Sequence, residues 1–146
     1  MISNRCHYAL RAMLELALQE GRGPLTISEI ASAQNIPVRF LEAIMRQLKL
    51  AGLADSLRGK TGGYFLGRPA EQIHIGEILD LFEGPFFTNS EQVGPHVIRE
   101  AESDVFAPIW READESLRAV FRRHTLARLA ELEQQRRDAA AQNYSI

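Results

Sequence analysis

The chain carries one cysteine and one tryptophan in 146 residues. With no second thiol, Cys6 cannot close an internal disulfide, and a reducing cytoplasm fits this usage best. No run of about 18 apolar residues occurs, so no segment reads as a membrane-spanning helix. The opening Met1-Ile2-Ser3-Asn4-Arg5 lacks the apolar stretch of a signal segment. Catalytic patterns are missing as well. There is no nucleophile elbow, phosphate loop or HExxH, and the four histidines are scattered. No nucleophile–base pair can be placed, which argues against an enzyme. Repeats and low-complexity tracts are also lacking.

Strong charge of either sign is absent overall, with a formal net charge of −2. Its distribution is uneven. Residues 1–68 hold nine Lys and Arg against five Asp and Glu, a net of +4, and residues 69–146 hold eight against fourteen, a net of −6. Such asymmetry points to a basic surface on one half and a different task for the other. An apolar fraction of 45% supports one packed domain, or one with an appendage.

The most informative stretch is Leu57–Leu66, a basic, glycine-bearing hairpin ending in Tyr64-Phe65-Leu66. Gly62 and Gly63 permit positive φ and close approach to another backbone. Arg58 and Lys60 place two cations at the tip. Ahead of it lie three helices. The first, 4–20, shows an apolar face of Tyr8, Leu10, Met13, Leu14, Ala17 and Leu18. The second starts after Thr26, with Glu29 three residues on as in a capping box, and stops near Asn35. The third starts near Pro37 and buries Leu41, Ile44, Met45 and Leu48 at i, i+3, i+4 and i+7. Two short helices with a tight turn and then a basic hairpin predict a winged helix-turn-helix.

After the hairpin, a helix is expected over 73–82 and a loop over 86–104. A long helix over 105–123 carries a stripe of Phe106, Ile109, Trp110, Ala113, Leu117, Val120 and Phe121. The stripe lies either in the chain's own core or at a dimer seam, and the seam is favoured. A last short helix follows Thr125 to about 137, with a frayed tail over 138–146. The domain reading is therefore a DNA-binding unit over 1–85, a loop over 86–104 and a dimerisation segment over 105–137. The fold class is mainly α with a small β-hairpin.

Recognition helices read base edges with their N-terminal side chains. Here Val38, Arg39, Phe40 and Glu42 hold those positions. Arg39 suits bidentate bonding to guanine, and Glu42 suits the amino group of cytosine. Phe40 fits a thymine methyl or the protein core equally well. Arg46 and Lys49 sit deeper and suit phosphate. At the hairpin, Arg58 suits a narrow minor groove, while Gly59, Lys60, Thr61 and the Gly62 and Gly63 amides suit phosphate oxygens. Ser28 suits phosphate at the start of the second helix, or plain capping. The bland alternatives are a solvated helix face and an ordinary hairpin.

These residues, taken in order, resemble the Rrf2 family of bacterial transcriptional regulators. The resemblance rests on residues 4–13, Ile30-Ala31, Phe40-Leu41-Glu42, Leu53, Arg58-Gly59 through Gly62-Gly63-Tyr64, Ile75-Gly76-Glu77-Ile78, Ile109-Trp110 and Thr125-Leu126. It implies a homodimer, joined through the long helix, that binds roughly palindromic promoter DNA. It also implies DNA contact by Arg39, Phe40, Glu42 and Arg58, with Gly63 and Tyr64 in the wing. Many members sense through an iron–sulfur cluster held by three cysteines in the loop before the long helix. Residues 86–108 here contain none. A regulator without a cluster is therefore expected; Cys6 reads as a small buried hydrophobe or, as the alternative, a thiol sensor, and His7 with His96 as a further alternative pair of metal ligands without a third. A rival reading makes the chain a protein-interaction module controlled by a partner metabolic enzyme. Either way a protein or small-molecule effector would supply the signal.

Overall fold

The computed structural model describes residues 2–86 and 105–144. The expected loop beyond Phe86, with His96, lies outside them. The described elements are α1 (Asn4–Leu18), α2 (Ile27–Gln34), α3 (Val38–Leu50), β1 (Ala54–Leu57), β2 (Gly63–Leu66), a 3-10 turn (Ala70–Gln72), α4 (Ile75–Phe82), α5 (Ala107–Arg122) and α6 (Leu126–Tyr144). The chain is mainly helical, with one antiparallel hairpin, as the sequence predicts.

Helix α1 lies at the centre. Ser3 caps it, its hydroxyl accepting from the Cys6 amide at 3.2 Å. It packs against α2, α3, α4, α6 and β2. A helix with neighbours on so many sides cannot keep a single narrow apolar face. Cys6, Ala9, Ala12, Met13, Leu16 and Ala17 are buried, while Tyr8, Leu10, Leu14 and Leu18 are half-buried around them. The small alanines let neighbouring backbones come close. Of the α1 face expected from periodicity, Met13 and Ala17 lie within this wider buried surface and Tyr8, Leu10, Leu14 and Leu18 form its rim.

One charged side chain is buried on this helix. Glu15 is 6% exposed. Its carboxylate accepts from Gln34 Nε2 of α2 at 2.6 Å and from the Arg137 guanidinium of α6. A single carboxylate therefore joins the first, second and last helices.

Helix α2 begins as the sequence dictates, with the Thr26 hydroxyl accepting from the Glu29 amide at 3.1 Å. It ends on Asn35, whose φ of 53° is left-handed. The Ile36 amide then reaches back to Ala31 O at 3.0 Å, and Ile36 itself is buried. Pro37 is the N-cap of α3 rather than a residue of its first turn. Leu41, Ile44, Met45 and Leu48 are all at most 1% exposed. Each such side chain contributes about 1.5–3 kcal/mol by leaving water.

The last helix differs most from expectation. It does not stop at 137 but runs to Tyr144. Ala139, Ala140, Ala141 and Gln142 are strong helix formers, and no glycine or proline interrupts them. It also belongs to the main core, since Leu126 and Ala130 share the buried cluster with α1 and α3. The Ile75 amide bonds His124 O at 3.0 Å and the Leu126 amide bonds Ile73 O at 2.8 Å, which fastens the α5–α6 turn beside α4. Within α6, Arg136 and then Arg137 bond Glu133 and hold its carboxyl down to about 2.

Cys6 is fully buried at the start of α1. Burial first, and then the nearby Glu83 carboxylate, push its thiol up to about 12. Glu83 is held in place by the Ser3 amide at 2.7 Å and the Ser3 hydroxyl at 2.6 Å. The site therefore disfavours the reactive thiolate.

Two expectations follow. Arg137→Ala strips Glu15 of its cation and should lower the unfolding free energy by about 1–3 kcal/mol, read by urea denaturation. An unchanged midpoint would show that the contact contributes nothing. The Cys6 thiol should stay unreactive toward a disulfide reagent at pH 8 until the protein unfolds. Because its folded pKa is raised, its contribution to stability is full below the ordinary value of 9.0 and is lost as pH rises through about 12. Rapid labelling of the native protein would contradict this.

Candidate nucleic-acid interface

The face of α3 opposite the core carries Val38, Arg39, Phe40, Glu42, Arg46 and Lys49, all exposed. Val38 and Phe40 are 44% and 46% exposed, which is unusual for large apolar side chains. Phe40 is therefore not a core residue. It stacks on Tyr8 of α1 with ring centroids 6.4 Å apart and planes 24° from parallel. The Arg39 guanidinium lies over the other residue of this pair, 4.7 Å from the Phe40 centroid. Ser28 is exposed in the first turn of α2.

The hairpin pairs Ala54 with Leu66, Asp55 with Phe65, Ser56 with Tyr64 and Leu57 with Gly63. Arg58, Gly59, Lys60 and Thr61 are exposed at its tip. The turn closes through the Gly62 amide bonding Gly59 O at 3.1 Å. Its positive φ belongs to Gly59, at 109°, rather than to Gly62. Gly62 is needed for space, since a Cβ there would lie 2.2 Å from Leu57 O. Gly63 combines both demands, with a φ of 149° and Leu25 O only 2.5 Å from where a Cβ would sit.

That close approach reveals a contact the sequence did not announce. Leu25 pairs with Tyr64 across an isolated antiparallel bridge, with N–H···O distances of 2.8 and 2.6 Å. Leu25 directly precedes the Thr26 cap of α2. The hairpin is thus fastened to the start of the helix-turn-helix. A second link runs from Lys49 Nζ on α3 to Ser56 Oγ on β1 at 2.6 Å. Tyr64 is half-buried and packs against the core, so it anchors the hairpin more than it presents a surface.

These links sort the basic residues. Arg68 pairs with Glu77 of α4, Arg5 bonds Gln47 of α3 at 2.7 Å, and Lys49 is engaged with Ser56. Arg46, Arg58 and Lys60 form no ion pair with a described residue and point their charge at solvent. Residues that sequence reasoning missed are Arg5, Tyr8, Leu25 and Ser56. Only Tyr8 left a signal, a lone aromatic at the edge of the α1 apolar face.

The stripe on α5 divides. Phe121 packs against Phe86 with centroids 5.9 Å apart. Asp114, the buried residue of this helix, accepts from the Phe86 amide at 3.1 Å. Ala113 and Leu117 are half-buried. Phe106, Ile109, Trp110 and Val120 remain 53%, 52%, 42% and 39% exposed. Across α1, α4 and α6 runs an open groove of about 430 Å³, with Leu10, Leu14, Ile75 and Leu129 on its walls and His7 at its rim. His7 is exposed, and no group of three metal-ligating side chains occurs among the described residues. No described helix is long and apolar enough to cross a membrane.

Comparison with known proteins gives this arrangement its context. Residues 2–132 match the model of the Rrf2 family, described as iron-dependent transcriptional regulators. The HTH-type transcriptional regulator CymR of Bacillus subtilis is 33% identical over 129 residues, which span 88% of both chains. The regulator IscR of Klebsiella pneumoniae is 30% identical over 128 residues, spanning 88% of this chain and 78% of that one. The structure of CymR, the global cysteine regulator of B. subtilis, superposes with a TM-score of 0.73 at 31% identity, covering 90% of this chain and 97% of the other. The T. potens IscR structure gives the same TM-score at 29% identity, covering 92% and 90%. An iron–sulfur cluster, as many family members carry, does not fit the single cysteine of this chain. Cluster iron is held chiefly by thiolates, and the one thiol here is buried with its pKa pushed to about 12. With that departure, the chain belongs to the Rrf2 family of winged helix-turn-helix transcriptional regulators.

Proposed function

We propose that this regulator works as a homodimer in the cytoplasm, binds a palindromic operator in promoter DNA and represses by occupying it, without an iron–sulfur cluster. The observation that carries the reading is the exposed α3 face beside the cationic hairpin tip. Arg39 and Glu42, exposed in the first turns of α3, suit base edges, and Val38 and Phe40 suit thymine methyls. Arg46, Lys60, Thr61 and the glycine amides of the tip suit phosphates, and Arg58 suits the minor groove. Lys49 ties the end of α3 to β1 through Ser56, and Tyr64 anchors the hairpin to the core. Ser28 adds a hydroxyl near the α2 N-terminus, where phosphate is favoured.

The exposed part of the α5 stripe supports the dimer. Large apolar side chains in a row on one helix are a costly surface for a monomer. A two-fold partner would cover them and set two α3 helices about one turn of DNA apart, or a multiple of it. The reading as a module docked on a metabolic enzyme through the acidic C-terminal half gains less support, because the similar proteins are HTH-type transcriptional regulators. The signal would come from a protein or small-molecule effector rather than from Cys6 or a His7 metal site.

Two experiments test this reading. A duplex selected by the protein from a random-sequence pool should be bound with affinity that falls steeply as salt rises. Arg58→Ala should weaken that binding without lowering the melting temperature. Arg39→Ala should cost about 1–3 kcal/mol and relax preference at one base position per half-site. Equal loss on all sequences would make Arg39 a phosphate contact, and salt-insensitive binding would sink the DNA reading. Separately, Ile109→Asp should shift the protein to monomer in sedimentation. A dimer that survives this change would place the seam elsewhere.

A further inference from the structure

We propose that Tyr8, a residue of α1 outside the recognition helix, is a positioning residue for DNA reading. It acts through Phe40 on Arg39. The inference rests on the reading that the first turn of α3 meets base edges.

Three side chains form a stack from the core outward. Tyr8 is half-buried and packs against the core cluster. Phe40 stacks on it at 6.4 Å, and the Arg39 guanidinium lies 4.7 Å over Phe40. Neither Phe40 nor Arg39 is held by burial, since Phe40 is 46% exposed and Arg39 is exposed. Beside the stack lies an open cleft of about 430 Å³, bounded by Asn4, Arg5, Tyr8, Arg39, Phe40 and Ala43. This empty space gives Phe40 somewhere to go. The Tyr8 ring is the surface that stops it, and so fixes the ring face on which the guanidinium rests. An arginine left unsupported in water has wide rotamer freedom that must be lost when it meets a base edge. Here much of that freedom is already restricted by a chain that ends on the rigid central helix, so binding loses less entropy.

The stack makes Tyr8 a determinant of specificity rather than of general affinity. Phosphate contacts elsewhere on the surface do not depend on it. Its ring matters, and its hydroxyl does not.

The test uses the full-length protein and a duplex that the wild type selects from a random-sequence pool. Tyr8→Leu keeps apolar bulk and removes the ring. It should weaken binding to that duplex by about three- to tenfold, the range of an exposed cation–π stack and its ordering. Binding to an unrelated duplex should not change. Tyr8→Phe should bind as the wild type does. In an Arg39→Ala background, Tyr8→Leu should have no further effect, because there is no longer a guanidinium to position. An equal loss in that background, an equal loss on unrelated DNA, or a loss with Tyr8→Phe would each overturn the proposal. The first two would make Tyr8 a general structural residue, and the third would make its hydroxyl a direct contact. A separate failure is recognisable: if Arg39→Ala alone binds as the wild type does, the base-reading role of Arg39 falls and the positioning role falls with it.

Discussion

A carboxylate buried in the middle of the molecule sets the terms for everything around it. Glu15 sits on the helix that touches nearly every other element, and it is satisfied by Gln34 from α2 and Arg137 from α6. A buried charge demands such partners, because leaving it unpaired is far more costly than the pair is stabilising. The demand fixes two distant parts of the chain at once. It holds the first helix of the helix-turn-helix, and it draws a helix from the far end of the sequence onto the same core. The reading head is therefore not a separate unit with a tail. Its central helix is enclosed on one side by the helix-turn-helix and on the other by α6.

The helix-turn-helix was legible because its signals are local. Thr26 and Glu29 mark a start, Pro37 marks a boundary, and the four apolar residues of α3 repeat at helical spacing. The hairpin was legible from its glycines, although the work divides among them differently from their order in the sequence. What escaped were contacts whose two halves lie far apart. Leu25 looks like any loop residue until Tyr64 is beside it. Lys49 and Arg68 count as free cations until Ser56 and Glu77 arrive. The helix α1 itself was legible from its periodicity, but its burial on several sides was not, because Cys6, Ala9 and Ala12 are too small to mark a face. The extent of α6 was readable in its alanines, which carry the helix past residue 137.

The candidate site was similarly half visible. The identity of the residues on the α3 face followed from the spacing of the buried ones, since the two faces are complementary. The stack beneath that face did not, because the whole of α2 lies between Tyr8 and Phe40 in the chain. The sensing side stands in contrast. Cys6 is buried and lies near a carboxylate, and both disfavour the thiolate that a sensor would need.

The wing is fastened twice, by Leu25 to the front of α2 and by Ser56 to the back of α3. A wing held in this way moves with the helix it flanks, as two teeth cut on one key. The contact pattern offered to a single half-site is then nearly constant, and little inside the head remains to be adjusted. In the proposed homodimer, what can still vary is the separation and twist between two such keys. A response to a signal would then be a matter of phase along the double helix, decided at the junction of two copies, while the surface that touches the bases keeps its own preference.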